Sequence, residues 1–345
     1  MNEIKPAFSL EDTLVTVAEA RRMLGSARQR AAGRMMDVKA QIVAEFANSV
    51  RVPGYFPPLP ELRQQLQTLV DLLDEPAPPL AVIEDIAVPG PAGDIPARLY
   101  RPTADTDALP VLAYFHGGGF VQGDLETHHG LCARLALWSG AMVVAFDYRL
   151  APEHKFPAAV EDCMVAYEWL RAEGGSIGAD TARVAVAGDS AGGNLSAVVC
   201  QQALAAGAVP PTFQVLIYPA VDLAMESASH AAMVDAPVIP RDRIDWYMEQ
   251  YLNGAADKAD LRASPLRAES LEGLPPALII SGGFDPLRDE AKHYADRLGE
   301  AGVNVTHHEY PGQIHAFISL IKAIPEGGEA TREVADYMRR RFGAE

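Results

Sequence analysis

The sequence predicts an α/β protein with a mostly parallel eight-stranded sheet and helices on both faces. Eight short apolar or β-branched runs recur along the chain, and helical segments separate most of the later ones. These later runs lack the apolar–polar alternation of a sheet with one solvated face, which favours strands buried on both faces. Hydrophobic residues make up 49% of the 345 residues, which is enough apolar surface for a folded core.

The N-terminal part of the chain is predicted to be helical. Apolar residues at helical spacing indicate helices within residues 1–50, and a proline-rich break follows at 51–60. A third amphipathic pattern, with Pro60 near its start, predicts a helix that ends near Leu73. Its apolar positions are Leu62, Leu66, Leu69, Val70 and Leu73.

The sheet is predicted to begin with a hairpin, whose strands at 83–88 and 95–100 flank the turn PGPAGD. Residues 222–263 bring helix-like sequence between two later strands and are expected to lie outside the sheet. The later strands are predicted at 111–115, 142–146, 183–187, 213–218, 277–281 and 303–310. Helices are predicted at 157–171, 191–206, 286–299 and 329–342.

Composition excludes several classes of protein. The net charge of −17 argues against a nucleic-acid partner, because phosphate contacts need clustered lysine and arginine. The three widely spaced cysteines predict buried free thiols rather than a disulfide framework or zinc site. The N-terminus contains Glu3 and Pro6 and lacks an apolar run of signal-peptide length. The longest uncharged stretch, 190–221, contains polar residues and two adjacent prolines. We therefore expect a soluble, cytoplasmic protein without a membrane partner.

Residues 188–192 (GDSAG) match the pattern G-x-S-x-G between a predicted strand and a predicted helix. Small neighbours allow a tight turn that lifts a serine hydroxyl above the sheet, at the positive end of the helix dipole. Glycine and serine are also common in ordinary turns, so the motif alone is a weak signal. Its context makes Ser190 the candidate nucleophile.

Three glycines follow the strand at 111–115, in the sequence HGGGF at 116–120. Such a loop can turn its backbone N–H groups toward one point, as an oxyanion requires. A phosphate-binding loop is the alternative, but neither glycine-rich phosphate pattern occurs in the sequence. His116 is expected to brace the glycine loop through hydrogen bonds rather than to act as a base.

A serine nucleophile needs a base and a group that orients the base. Enzymes with this strand–turn–helix motif place the acid and then the histidine after the serine. Among the downstream histidines, only His315 is predicted in a loop (311–315) directly beyond the last strand. The others are His230, His293, His307 and His308.

The candidate acid is Asp285, which follows the strand at 277–281 and a predicted turn at 282–284. Pro286 is suited to the first position of the next helix. Asp289 and Glu290 fall inside that helix and are poorer candidates.

Several sequence blocks resemble the hormone-sensitive-lipase-like esterases, also called bacterial esterase family IV, of the α/β-hydrolase superfamily. They are HGGGFVQGDLETH (116–128), DYRLAPEHKFPAA (147–159), GDSAGGN (188–194), DPLRDE (285–290) and GQIHAF (312–317). The GDSAG sequence is similar to the larger branch of that family. The resemblance implies an α/β-hydrolase fold with a helical cap, and a catalytic triad of Ser190, Asp285 and His315.

The resemblance also implies an oxyanion hole formed by the backbone N–H groups of Gly118, Gly119 and Ala191. His116 and Gly117 would support the loop, and neither a metal nor a cofactor is implied. Two positions depart from the family pattern: His129 replaces the usual Asp, and Ala316 replaces the usual Gly. Neither is a triad residue, but each lies where loop support or the acyl pocket would change.

The family's cap implies a division of the chain into four segments. Residues 1–50 and 222–263 would form the cap, and these are also segments that did not fit the sheet pattern. Residues 51–221 would carry the oxyanion loop and the nucleophile, and residues 264–345 the acid and the base. The charged residues among the apolar positions of both cap segments predict no exposed apolar lid. In the second block, Arg149 and Glu153 are expected to form a buried structural pair.

These observations predict a serine carboxylesterase that acts on short- to medium-chain esters through an acyl-enzyme. One alternative is a hydrolase of lactones, amides or drug-like esters, since specificity lies in the cap and pocket. Another is a non-catalytic small-molecule receptor, but receptors that resemble this family have lost the histidine that His315 represents. The expected partner is a small-molecule ester, and a homodimer paired through the edge of the strand at 303–310 is left open.

Overall fold

The computed structural model describes residues 8–105 and 107–343, with ten strands and ten α-helices within these ranges. The strands are β1 Arg30–Ala31, β2 Arg34–Met35, β3 Val82–Gly90, β4 Gly93–Arg101, β5 Leu109–Phe115, β6 Met142–Phe146, β7 Ala179–Asp189, β8 Gln214–Ile217, β9 Ala277–Phe284 and β10 Val305–Ile314. The helices are α1 Val17–Leu24, α2 Val38–Val50, α3 Leu59–Leu73, α4 His129–Ser139, α5 Ala158–Glu173, α6 Ala191–Ala205, α7 Ala228–Ala232, α8 Arg241–Tyr251, α9 Arg288–Glu300 and α10 Glu326–Phe342.

Eight of the strands form one sheet in the order β10-β9-β8-β7-β5-β6-β4-β3. The hairpin β3–β4 pairs antiparallel, β4 also pairs antiparallel with β6, and the remaining neighbours are parallel. This is the predicted mostly parallel sheet, and the predicted fold class is confirmed. Because parallel strands end at the same edge of a sheet, the segments after β5, β7, β9 and β10 lie close together.

The sheet is buried on both faces because alternate side chains of each strand point to opposite sides. In β5, Val111, Ala113 and Phe115 belong to one core cluster, whereas Leu112 and Tyr114 belong to the other. Helices α5, α6 and α9 cover the first face, and α4 and α10 cover the second. This explains why the sequence of β5 is continuously apolar.

The N-terminal region is less helical than predicted. Helices α1 and α2 are separated by the short hairpin β1–β2, whose turn contains Ala32 and Gly33 with positive φ. The ammonium group of the buried Lys39 donates hydrogen bonds to the backbone carbonyls of Thr13 and Val15 and so anchors the segment before α1. Residues 1–7 of the predicted cap segment, including Glu3 and Pro6, lie outside the described residues.

The insert at 222–263 lies outside the sheet, as predicted, and its main element is α8. It packs against the chain that follows α2. Arg51 Nη2 lies 2.8 Å from an Asp242 carboxylate oxygen, and the rings of Phe56 and Trp246 stack at 4.8 Å. The division of the chain into cap and core segments stays a prediction.

Two predicted loops before the candidate acid and base are in fact strand. Residues 282–284 complete β9 and residues 311–314 complete β10, with Ile314 paired to Phe284 after a register shift. Glycine and proline usually interrupt strands, but Pro311 is tolerated here because β10 is an edge strand. The edge-pairing dimer stays a prediction. The Asp37 backbone N–H already donates to the Gly312 carbonyl at 2.9 Å.

The expected pair of Arg149 and Glu153 is wrong. Arg149 instead pairs with Asp162 on α5 at 2.7 Å, whereas Glu153 pairs with Arg63 on α3 at 2.8 Å. The Glu153 side chain is also 48% exposed, so it is not buried. Both partners come from helices that pack onto this loop, and short-range sequence spacing does not reveal them.

The three cysteines are buried free thiols, and burial raises the pKa of each. The uncharged stretch 190–221 forms the buried helix α6 and the buried strand β8, as expected. Within residues 8–105 and 107–343, no helix has the length and apolarity needed to cross a bilayer.

Candidate active site

Ser190 lies on a sharp turn between β7 and α6, with φ 54° and ψ −114°. A non-glycine residue in this region of backbone space is strained and needs close packing around it. The packing is so tight that a Cβ on Gly188 would lie 2.4 Å from the Phe115 carbonyl oxygen, and one on Gly192 1.8 Å from it. The two motif glycines are therefore required sterically, and they hold the serine at the edge of the sheet.

A chain of hydrogen bonds connects Ser190 to the ends of β9 and β10. Ser190 Oγ lies 3.0 Å from His315 Nε2, and His315 Nδ1 lies 2.6 Å from Asp285 Oδ2. The Leu287 backbone N–H donates to Asp285 Oδ1 at 2.9 Å, and both Asp285 and His315 are buried. With its Nδ1 proton donated to the carboxylate, the imidazole can accept the serine proton at Nε2.

The other candidates for acid and base lie elsewhere. Asp289 Oδ2 accepts the Ser229 backbone N–H at 2.8 Å, and Glu290 Oε1 accepts the Val221 backbone N–H at 2.8 Å. His230 is buried on α7, His293 is exposed on α9, His307 contacts Ser281, and His308 contacts Glu333. None of them contacts Ser190.

The glycine loop after β5 presents free backbone donors beside the serine. Gly118 and Gly119 have φ values of 123° and 64°, and a Cβ on Gly118 would lie 2.0 Å from the Gln122 carbonyl oxygen. Within the ranges 8–105 and 107–343, the N–H groups of Gly118, Gly119 and Ala191 donate no hydrogen bond. These three amides are available to an oxygen bound in front of Ser190.

His116 and Gly117 hold this loop from behind. His116 Nδ1 lies 2.8 Å from the Gly117 carbonyl oxygen, and its ring stacks on Tyr148 at 4.3 Å. The Tyr148 hydroxyl donates to the His116 carbonyl at 2.6 Å. The Gly117 N–H donates to Asp189 Oδ1 at 2.9 Å, so it is not one of the free donors.

Sequence reasoning gave no role to the buried pair of Asp189 and His128. Asp189 Oδ1 accepts hydrogen bonds from the Tyr114 hydroxyl at 2.8 Å and from His128 Nε2 at 3.1 Å, besides Gly117. Burial works to raise the pKa of Asp189, but the charge of His128 and the two side-chain hydrogen bonds hold it below its ordinary value. Burial works to lower the pKa of His128, and Asp189 nevertheless raises it. Each partner thus favours the charged form of the other, and their contact fixes the glycine loop through the Gly117 N–H.

One signal could have identified this pair. Asp189 is the last residue of β7 and the only charged residue in 184–221, and a buried carboxylate requires a partner. His128 closes the sequence block that contains the glycine loop. Their contact depends on the pairing of β5 with β7, and this pairing cannot be read from the sequence.

A cavity of about 360 Å³ opens in front of Ser190 and His315. Apolar side chains from α2, α3 and the insert form most of its wall. They include Val43, Phe46, Leu62, Leu66, Leu69, Val70, Leu73, Val238, Ile239, Ile244 and Met248.

The loop at the end of α2 is apolar and exposed. Val50, which lines the cavity, is 65% exposed, and the neighbouring Val52 and Tyr55 are 62% and 58% exposed. Of these three residues only Val50 lies in a predicted cap segment, and the expectation of no exposed apolar lid stays a prediction.

Comparisons with known proteins agree with this geometry. A family model described as the alpha/beta hydrolase fold matches residues 112–319, which is more than half of the chain. The esterase LipI of Mycobacterium tuberculosis is 43% identical over 272 residues, covering 77% of this chain and 84% of the relative. The chain belongs to the α/β-hydrolase superfamily, among its hormone-sensitive-lipase-like carboxylesterases.

Other members of this esterase family are similar over most of their length. An ethyl acetate hydrolase of Pseudomonas putida is 35% identical, covering 81% of this chain and 89% of the relative. A solved ester hydrolase from the Lake Arreo metagenome, in complex with a bipyridine phosphonate derivative, superposes with a TM-score of 0.87. It is 42% identical, and the match covers 90% of this chain and 100% of that one. A Pyrobaculum calidifontis esterase superposes with a TM-score of 0.81 at 40% identity, covering 87% and 97% of the two chains.

The two departures from the esterase family pattern have different settings. His129 Nδ1 lies 3.1 Å from the Tyr100 hydroxyl, and burial, followed by the charge of Arg98, lowers the pKa of His129. His129 does not line the cavity, whereas Ala316 does. Ala316 has φ 64°, a conformation that glycine adopts without strain, so the alanine strains the backbone directly after His315.

Proposed function

We propose that this carboxylesterase hydrolyses short- to medium-chain esters with Ser190 as nucleophile, His315 as base and Asp285 as acid. The observation that carries the proposal is the hydrogen-bond chain from Ser190 Oγ to His315 Nε2 at 3.0 Å and from His315 Nδ1 to Asp285 Oδ2 at 2.6 Å. This chain also argues against the receptor alternative, because a receptor needs no aligned nucleophile and base.

In the first half of the reaction, Ser190 Oγ attacks the ester carbonyl carbon and His315 Nε2 accepts the hydroxyl proton. The buried Asp285 carboxylate holds the imidazole in the correct tautomer and stabilises the imidazolium that forms. The negative charge that develops on the carbonyl oxygen is stabilised by the N–H groups of Gly118, Gly119 and Ala191. Preorganised donors of this kind contribute about 10²–10³ each to the rate.

The tetrahedral intermediate then collapses, and the imidazolium gives its proton to the departing alcohol oxygen. Ser190 is left as an acyl ester. In the second half, His315 accepts a proton from a water molecule, whose oxygen attacks the acyl carbon. Collapse of this second intermediate releases the carboxylic acid, and the proton returns to Ser190. One ester and one water are consumed for each acid and alcohol produced.

The cavity limits the length of the acyl chain in this proposal. Each methylene gains about 0.8 kcal/mol only while apolar wall remains to bury it. A cavity of about 360 Å³ with aliphatic walls therefore supports activity that rises, peaks and falls with chain length. The net charge of −17 also opposes adsorption to anionic membranes, which favours dissolved esters over lipid surfaces as substrates.

The experiment is to trap the acyl-enzyme with 4-nitrophenyl butyrate in the wild type and in Ser190→Ala. Wild type should release a burst of 4-nitrophenol and carry one butyryl group on the peptide that contains Ser190. Ser190→Ala should lose both and fall about 10⁴–10⁶ in kcat. The matched control is Ser196→Ala, because Ser196 lies on the same helix, α6, and bonds only the Gly192 carbonyl. Wild-type turnover in Ser190→Ala, or a butyryl group on another residue, would contradict the proposal.

A further inference from the structure

We propose that Arg243 binds an anionic group on the substrate, so that the enzyme prefers esters that carry a free carboxylate, such as monoesters of dicarboxylic acids. The inference rests on the proposed function, since it names the substrate class of the same site. The cavity wall is mostly apolar, but it carries the positive charge of Arg243.

Arg243 lines the cavity from the first turn of α8 and is half-buried. Its guanidinium forms no ion pair and donates no hydrogen bond within the part of the chain that the structure describes. The two carboxylates beside it on the same helix already form ion pairs with other arginines. Asp242 lies 2.8 Å from Arg51, and Asp245 lies 3.0 Å from Arg241. Their pairing leaves the charge of Arg243 uncompensated.

The remaining charged groups on the cavity wall do not compete for an anion or for Arg243. Arg51 is held by Asp242, and Asp189 is held by His128. A carboxylate that enters this cavity therefore meets one unpaired cation and no unpaired anion. Desolvation in an apolar site strengthens such a contact relative to one in water.

An aromatic ring orients the Arg243 guanidinium. Its Cζ atom lies 5.7 Å from the centroid of Phe56, whose ring stacks on Trp246. A guanidinium that rests against an aromatic face keeps its in-plane N–H groups free, and two of these can bond both oxygens of one carboxylate. A lysine ammonium lacks this planar two-donor geometry.

The position of Arg243 on α8 sets the distance from the reacting ester. Tyr247 lies one helical turn further, about 6 Å along the axis. Its ring would lie 2.6 Å from a Cβ placed on Gly119, and its hydroxyl accepts a hydrogen bond from Gln122 Nε2 at 2.8 Å. Tyr247 therefore covers the glycine loop, and Arg243 stands one turn beyond it. A substrate with its carboxylate several bonds away from the reacting carbonyl fits this spacing.

The test compares two substrates that differ only in the distal charge, 4-nitrophenyl hydrogen adipate and 4-nitrophenyl methyl adipate. The readout is the ratio of kcat/KM for the charged ester to kcat/KM for the methyl ester. Wild type should favour the charged ester, and Arg243→Gln should lower the ratio about tenfold, as expected for loss of a hydrogen bond to a charged group. The loss should appear in KM rather than kcat, because the contact is equal in ground state and transition state. Arg243→Lys should retain part of the preference.

The matched control is Arg241→Gln, which removes a charge from the same helical turn at a side chain that pairs with Asp245 and does not line the cavity. It should leave the ratio unchanged. An equal ratio in wild type and Arg243→Gln, or an equal fall in Arg241→Gln, would overturn the inference. Because hydrolysis of the methyl ester needs no anion site, its absence in wild type would count against the proposed function instead. The glutarate and suberate monoesters, compared in the same way, would show the preferred distance.

Discussion

The edge of the sheet that carries Ser190, Asp285 and His315 differs in burial from the helical wall across the cavity. Asp285 and His315 directly follow two paired parallel strands, and both are almost fully buried. The opposite wall consists of α2, α3, α8 and Arg51, and Val50 in this wall and the neighbouring Val52 are more than half exposed. Buried groups at the ends of paired strands keep the geometry that proton transfer needs, whereas exposed residues in and beside the wall are less constrained. In the proposed function, the chemistry and the substrate preference are thus carried by separable parts.

The largest effect is expected when the residue that orients His315 is changed and the helical wall is left intact. Asp285→Asn should lower kcat about 10⁴-fold, because an amide favours the wrong histidine tautomer and cannot stabilise imidazolium. Steady-state kinetics with 4-nitrophenyl butyrate measure the effect. Asp289→Asn is the control, since Asp289 is a nearby acid that contacts Ser229 and Arg288 but not His315. Equal losses at the two positions, with both proteins folded, would refute the choice of acid.

A second change tests how the glycine loop is held. Asp189→Asn should destabilise the fold by about 3 kcal/mol, since removing one partner of a buried ion pair leaves the other uncompensated. It should also lower kcat roughly tenfold, because the Gly117 N–H loses a charged acceptor and the adjacent oxyanion donors shift. Urea unfolding and steady-state kinetics measure the two effects. Unchanged stability would show that the pair with His128 is not ionised.

The ion pair also predicts a pH window. The pKa of Asp189 is lowered from 3.8, so its contribution is present above pH 3.8 and is lost as the pH falls through the lower folded value. The pKa of His128 is raised from 6.5, so its contribution is complete below pH 6.5 and is lost as the pH rises through the higher folded value. The pair therefore stabilises the fold fully between these two pH values. In His128→Gln, the decline of unfolding free energy above pH 6.5 should become shallower.

The same division explains what the sequence could predict. Features set by local pattern were recovered, including the hairpin β3–β4 and the strand β6 to its exact ends. Contacts between distant segments were not. The partners of Arg149 and Glu153 and the pair of Asp189 with His128 depend on which helices and strands pack together. The segments at 282–284 and 311–314 were wrongly predicted as turn and loop, because strand pairing overrode the local preferences of glycine and proline.

A smaller effect, on stability, should come from Glu290, which lies on α9 shortly after Asp285. Burial raises the pKa of Glu290 well above its ordinary 4.5, while Oε1 accepts the backbone N–H groups of Val221 and Asp222. A raised pKa means that the group's contribution is complete below pH 4.5 and is lost as the pH rises toward the folded value. Glu290→Gln keeps the neutral form at every pH. The unfolding free energy of the wild type should therefore fall relative to that of Glu290→Gln as the pH rises above 4.5, as measured by urea unfolding. A constant difference across that range would show that Glu290 stays ionised.

The smallest effect compares two strained alanines, one directly after His315 and one that does not line the cavity. Ala316 at the strand edge and Ala32 in the exposed N-terminal hairpin have φ values of 64° and 49°, both in the left-handed region. Replacing either with glycine should relieve about 1 kcal/mol of strain and cost roughly the same in chain entropy, so each unfolding free energy should change by less than about 0.5 kcal/mol. Only Ala316→Gly should change kcat, by about twofold to fivefold, because the greater freedom lies beside His315 and a 1.4 kcal/mol change in a barrier is about tenfold in rate. Equal kcat values in both variants would mean that strain after His315 does not help to position the base, and that the strand pairing alone holds it.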